Sequence, residues 1–312
     1  MARPLRVQYA GAIYHVMNRG DRREAVFKDN KDHERFLQTL AEACARTGWQ
    51  IHAWCLMKNH FHLVIETPQP NLAAGMKWFL GTYTGRFNRR HKFFGHLFGG
   101  RYKALAVDGS GNGYLRTVCD YVHLNPVRAG LIKGTQSLEA HRWSSFNDYL
   151  KGPRKRPVWL RTDRLFGEMG IGADTTVGRR RFEDLMEQRR AQEKDQDWRR
   201  IRRGWCLGSA SFRLRLLDRM EGKFKDYHGR PERQESAEEQ GERIIREAMA
   251  KAGWRPGDLA KRRKGDVVKV ALAQRLRGET TLTLKWIAQR LHLGRWEYAR
   301  RLLYEAGNGK SS

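Results

Sequence analysis

The run from Trp49 to Thr67 constrains the fold more than any other part of the chain. It has strand composition throughout and is long enough for two strands or one bent hairpin, with Lys58-Asn59 as the predicted break. Around it, strand-like and helix-like patterns alternate. Gly11 to Met17 reads as a short strand. Asp32 to Thr47 reads as an amphipathic helix with Phe36, Leu37, Leu40, Ala43 and Cys44 on one face, stopped by Gly48. Asn71 is the expected N-cap of a second helix reaching toward Arg90, where Met76, Phe79, Leu80, Tyr83 and Phe87 recur at helical spacing. Arg101 to Val107 reads as a strand, and Asn112 to Ala129 as a third helix ended by Pro126. The order β-α-β-β-α-β-α predicts an α+β fold: a ferredoxin-like (split βαβ) antiparallel sheet with helices on one face.

At 312 residues the chain is long enough for two or three domains. Lys151 to Pro157 combines prolines with a basic run and reads as a linker, which puts a boundary near 150. Residues 151–252 read as this basic linker followed by charged helices, and residues 253–312 as a separate all-α domain. In that last part, Asp266 to Leu276 and Thr283 to Leu291 carry apolar stripes. A turn at Leu293-Gly294 leads into Arg295 to Glu305, which bears Arg295, Arg300 and Arg301. Helix, turn and arginine-bearing helix predict a helix-turn-helix contacting duplex DNA, the other reading being a plain packing module.

Charge narrows the partners. Sixty-one Lys and Arg against 34 Asp and Glu leave a formal +27, which attracts polyanions and makes nucleic acid the leading partner. The best apolar run, Ile51 to Ile65, carries His52, Lys58, Asn59, His60 and His62, so no membrane span is expected. The N-terminus lacks the apolar stretch of a secretory signal, and the expectation is a cytoplasmic, nucleoid-associated protein. Cys44, Cys55, Cys119 and Cys206 show no paired spacing of a zinc finger and are expected to be reduced and packed.

The chemistry concentrates at His60-Phe61-His62. Side chains alternate faces along a strand, so His60 and His62 project the same way and Phe61 the opposite way. Two neutral imidazoles at one spot supply part of a metal coordination sphere; by themselves they read more readily as hydrogen-bonding groups on a sheet surface.

His-hydrophobic-His on a central strand, followed by a helix carrying a Tyr and an Asn one turn on, resembles the IS200-like tyrosine transposases of the HUH nuclease group. The resemblance is strongest to the REP-associated branch. The matching segments are Trp54 to Ile65 and Tyr121 to Gly130, flanked by Tyr14 to Gly20, Phe98 to Ala104 and Arg142 to Tyr149, so the likeness covers roughly residues 5–150. It implies a transposase domain over residues 1–150 that cleaves and rejoins single-stranded DNA through a covalent 5′-phosphotyrosine link. It implies Tyr121 as nucleophile, and His60, His62 and Asn125 as ligands of Mg²⁺ or Mn²⁺. The implied partner is single-stranded DNA with hairpin or palindromic repeats, handled by a monomer or a homodimer.

Tyr114 lies on nearly the same helical face as Tyr121, but its fourth residue onward is Val118, which cannot bind a metal, whereas Tyr121 is followed at that spacing by Asn125. Arg101, Lys103 and Arg128 are candidate phosphate contacts. Glu66 shares the parity of the histidines and reads either as an outer-shell group or as a solvated strand end; Asn59 either shapes the turn or orients an imidazole. His123 is expected to face away from the nucleophile. Phe93, Phe94 and Phe98 interleave with cations in a way that suits stacking of unpaired bases, while Tyr83 and Phe87 read as core. The competing functions are a non-catalytic DNA- or RNA-binding regulator on the same scaffold and an RNA-processing protein.

Overall fold

The computed structural model describes residues 7–192, 198, 201, 204–225, 237–255 and 257–308. The chain divides into two compact units, one of residues 1–72 and 79–230, the other of residues 231–312 with 73–78.

The first unit is built on β1 (Ala12–Arg19), α1 (Asn30–Thr47), β2 (Gln50–Met57), β3 (His60–Thr67), α2 (Leu72–His91) and β4 (Lys103–Val107). The two-residue turn at Lys58-Asn59 falls at the expected break, since Met57 pairs with His60. The strands order as β2-β3-β1-β4 with antiparallel pairing throughout, the split βαβ arrangement expected from the element order. A short β5 (Cys206–Leu207) adds to β4 in parallel and makes the five-stranded sheet mixed. That strand is too short to leave a periodic signal.

Local chemistry sets the ends of the helices. Asp29 caps α1 by accepting from the Asp32 N–H, and Gly48 ends it at φ 70°, a left-handed conformation that glycine adopts without strain. Asn71 stands at the N-cap position of α2, but its side chain is used elsewhere. It accepts from Trp49 Nε1 and donates to the Thr47 carbonyl, each at 2.8 Å, tying two elements together instead of capping a third.

The expected helix from Asn112 to Ala129 is two helices, α3 (Tyr114–His123) and α4 (Asn125–Arg128), meeting at Leu124. Pro126 has no N–H for a helical bond and disfavours helical geometry in the residue before it, so the break falls upstream of the proline, which sits in the first turn of α4. Helices also cover both sheet faces, not one. Phe61 packs with Phe36 and Phe79 from α1 and α2, whereas His62, of opposite parity, meets Tyr121 of α3.

Beyond residue 150, where a linker is expected, the chain continues to pack on this unit. Leu160 bridges to Ile51 of β2. After α5 (Phe146–Leu150) come α6 (Asp163–Glu168) and α7 (Thr176–Ala191), and Phe182 of α7 stacks on Tyr149 at 4.8 Å. Next is α8 (Ala210–Lys225).

The second unit is helical: α9 (Ala237–Lys251), α10 (Asp258–Lys261), α11 (Val267–Glu279), α12 (Leu284–Arg290) and α13 (Trp296–Asn308). Ile244, Ile245, Leu272, Leu276, Ile287 and Leu291 form its core. Asp266 and Thr283 cap α11 and α12 with their side-chain oxygens, which is why these helices begin where the sequence places them. Among the described residues no helix is long and apolar enough to cross a membrane. The four cysteines are free thiols, three of them buried.

Candidate active site

The site lies on the α3 side of the sheet. Within β3, pleating turns His60 and His62 toward that side, and their rings meet edge to face at 5.1 Å. The Tyr121 ring from α3 lies edge-on to His62 at 5.7 Å, and Asn125 follows from α4. His60, His62, Tyr121 and Asn125 line one cleft of about 610 Å³, whose rim carries Arg19, Arg22, Arg23, Arg101 and Lys103. The resemblance-derived residues, distant in sequence, therefore meet. Tyr114 is not among the residues lining this cleft.

Each imidazole is oriented by a neighbour. Asn59 donates its amide N–H to the Arg23 carbonyl at 3.0 Å, which turns its oxygen toward His60; the His60 Nδ1–H donates to that oxygen at 2.8 Å. The proton is thereby placed on Nδ1 and a lone pair is left on Nε2. Asn59 thus both shapes the turn and orients the ring. His62 Nδ1 is paired with His15 Nε2 at 2.9 Å, and the two rings stack at 5.1 Å with an interplanar angle of 11°. With Nδ1 as the donor of that pair, His62 Nε2 keeps its lone pair as well.

Burial holds these rings neutral. It pulls the His15 pKa down to about 3, with Arg128 adding to the effect, and the His60 pKa down to about 4, with Arg19 adding. His62, fully enclosed and facing His15 and His60, lies well below the usual range. A neutral imidazole is the ligand form, so the set of two imidazole nitrogens and one carboxamide oxygen fits a divalent cation. Among the described residues no three His, Cys, Asp or Glu side chains form a group that could hold a metal ion.

Around the tyrosine is a structure that sequence reasoning did not foresee. The Arg128 guanidinium lies over the Tyr121 ring at 4.2 Å and over the Trp198 ring at 5.0 Å, and it donates to the Tyr121 carbonyl. Trp198 is fully buried, with its ring 5.4 Å from that of Tyr121. Arg128, a candidate phosphate contact in the sequence, lines the cleft with its guanidinium against the tyrosine ring. Trp198 lies in a charge-dense stretch with no local signal, and His15 lies in a strand whose parity gains meaning only when it pairs with β3.

Other candidates fall elsewhere. Glu66 shares the histidine face but is neither near the imidazole pair nor solvated; it joins His52, Arg161 and Arg164 in an ion-pair cluster at the other end of β3. His123 faces away from the cleft, bonded to Ser145 Oγ at 2.8 Å. Tyr83 and Phe87 are core residues. Arg295, Arg300 and Arg301 are exposed in the second unit, at the start and on the surface of α13.

Residues 8–125 match the family model described as "Transposase IS200 like". None of the curated proteins matches the chain. Among solved structures the chain is similar to one titled "Structure of the REP associates tyrosine transposase bound to a REP hairpin". That similarity is at 16% identity over 47% of this chain and 84% of that one, with a TM-score of 0.39. The likeness of this chain to the IS200-like transposases lies within residues 8–125.

Proposed function

We propose that the chain is a divalent-metal-dependent transposase that cleaves and rejoins hairpin-containing single-stranded DNA through a covalent 5′-phosphotyrosine intermediate. The observation that carries this reading is the meeting of a tyrosine, two oriented neutral imidazoles and a carboxamide in one cationic cleft. Tyr121 is the nucleophile: its phenol oxygen bonds to phosphorus and loses its proton, the bond to the 3′ oxygen breaks, and the freed 3′ oxygen takes up a proton. His60 and His62, through Nε2, and Asn125, through its amide oxygen, would hold Mg²⁺ or Mn²⁺. When bound, the cation offsets the charge of the scissile phosphate and positions it for in-line attack.

Because these ligands are neutral, they leave the charge of a bound cation undiminished for the substrate. Arg128 and Trp198 fix the phenol ring so that attack pays little orientational entropy. Arg101 and Lys103 draw the DNA backbone onto the cleft. In the second unit, α11 to α13, with Arg295, Arg300 and Arg301, supply a helix-turn-helix contact to a duplex element next to the hairpin.

Incubation of the protein with single-stranded hairpin DNA and Mg²⁺ or Mn²⁺, followed by a denaturing gel, tests the proposal. Wild-type protein is expected to form a denaturant-resistant adduct, Tyr114→Phe to retain it, and Tyr121→Phe to lose it. An adduct persisting in Tyr121→Phe overturns the nucleophile; absence of any wild-type adduct on a broad oligonucleotide pool favours the non-catalytic regulator.

A further inference from the structure

Beside the catalytic cleft lies a second groove that the proposed chemistry does not use. It has a volume of about 630 Å³, and its lining includes Glu24, Lys28, Lys92, Phe93, Phe94 and His96. Phe94 is 97% exposed and Phe93 45% exposed. A lone exposed phenylalanine is ordinary on a protein surface, but here the backbone holds the ring out on a braced loop. Lys92 ends α2 in the left-handed region at φ 56°, the Phe93 N–H donates to the Asn88 carbonyl at 2.9 Å, and Asn88 Nδ2 donates to the Gly95 carbonyl at 3.0 Å. On the far side the loop is tied down again: the Asp21 N–H donates to the Leu97 carbonyl at 3.0 Å, and the Gly99 N–H to the Arg19 carbonyl at 2.9 Å.

These last bonds join the loop to the rim of the catalytic cleft. There, Arg22 and Arg23 take left-handed conformations, φ 50° and 64°, which non-glycine residues adopt only against a steric cost. Both side chains are exposed and both residues line the catalytic cleft, while Glu24, next along the same turn, lines the second groove. One turn therefore connects the two surfaces, with Arg22 and Arg23 on the cleft and Glu24 on the second groove.

The chemistry of this second groove selects its occupant. The Lys28 ammonium sits 3.9 Å from the Phe93 ring centroid, leaving Phe94 as the open platform among cations. An apolar peptide or a lipid would need a larger contiguous apolar patch than Phe93 and Phe94 provide beside Lys28 and Lys92. Planar bases on a polyanionic backbone match both features, because any base stacks on an aromatic face while neighbouring cations track the phosphates.

We propose that the α2–β4 loop is a single-strand binding site. In this role Phe94 stacks an unpaired base of the flank that extends from the hairpin past Arg22 and Arg23, outside the catalytic cleft. The site rests on the single-stranded DNA reading given above and specifies where the unpaired flank of that substrate is held.

The test is fluorescence anisotropy with full-length protein and three labelled probes: a blunt DNA hairpin, the same hairpin with a short single-stranded 5′ flank, and the same hairpin with a short single-stranded 3′ flank. Phe94→Ala is expected to weaken binding of a flanked probe about five- to a hundredfold while the blunt probe binds as before. Phe94→Trp is expected to keep flanked-probe affinity and to show quenching of its added indole fluorescence when the flank binds. Equal affinity of wild type and Phe94→Ala for both flanked probes, or an equal loss on flanked and blunt probes, overturns the site. If wild-type protein forms the tyrosine adduct in that case, only this inference fails; if it binds no DNA at all, the hairpin-processing reading fails with it.

Discussion

At the scale of single residues, the site depends on two kinds of information. The shared direction of His60 and His62 is a property of neighbouring residues in one strand, so it was legible from the sequence. His15 was not, because it meets His62 only through the β1–β3 register. Its consequence is specific: His15→Phe keeps an aromatic ring of similar size at the position but removes the nitrogen facing His62 Nδ1. The expected outcome is a roughly 10- to 100-fold rise in the Mn²⁺ concentration giving half-maximal adduct, the usual cost of losing a group that orients a metal ligand. An unchanged metal dependence with a lower adduct yield would reduce His15 to a packing residue.

At the scale of elements, helix and strand order followed the sequence closely, and the departures have identifiable causes. Asn125 was expected one turn along the same helix as Tyr121, and instead opens a new helix after the break that Pro126 imposes. The carboxamide still reaches the cleft because the break reorients the chain without removing it. In the second unit, Lys269 is buried and donates to the carbonyls of Leu259 and His292, at 3.0 and 3.1 Å, fastening the end of α10 and the turn after α12 to α11. Nothing local marks a lysine for such a role. Lys269→Met keeps the apolar stem and leaves those carbonyls unpaired, and is expected to lower stability by about 1–3 kcal/mol in urea denaturation. A midpoint equal to wild type would mean that water replaces the ammonium without cost.

At the scale of the whole molecule, buried histidines shape the response to pH. His123 is enclosed between α5 and α7, and burial lowers its pKa from 6.5 to about 3. The unfolded chain takes up this proton near 6.5 while the native chain resists it until about 3, so stability is expected to fall as pH drops through that window. The excess of positive charge, +27, works in the same direction as acid neutralises carboxylates. Denaturant midpoints measured from about pH 7 down to about pH 5 check this, above the range where carboxylates dominate; a flat profile would contradict the neutral state of His123.

The sequence by itself determined the order of strands and helices, the placement of two imidazoles on one face and the polyanion-seeking charge. Each of these depends on residues close together along the chain or on simple counting. Only the tertiary structure decided that helices cover both faces, that the chain past residue 150 packs on the sheet, that His15 holds His62, and that Arg128 and Trp198 enclose the tyrosine. Those outcomes follow from register and burial between segments far apart in sequence. Alternation and helical period say which way a side chain points, but not what it will meet.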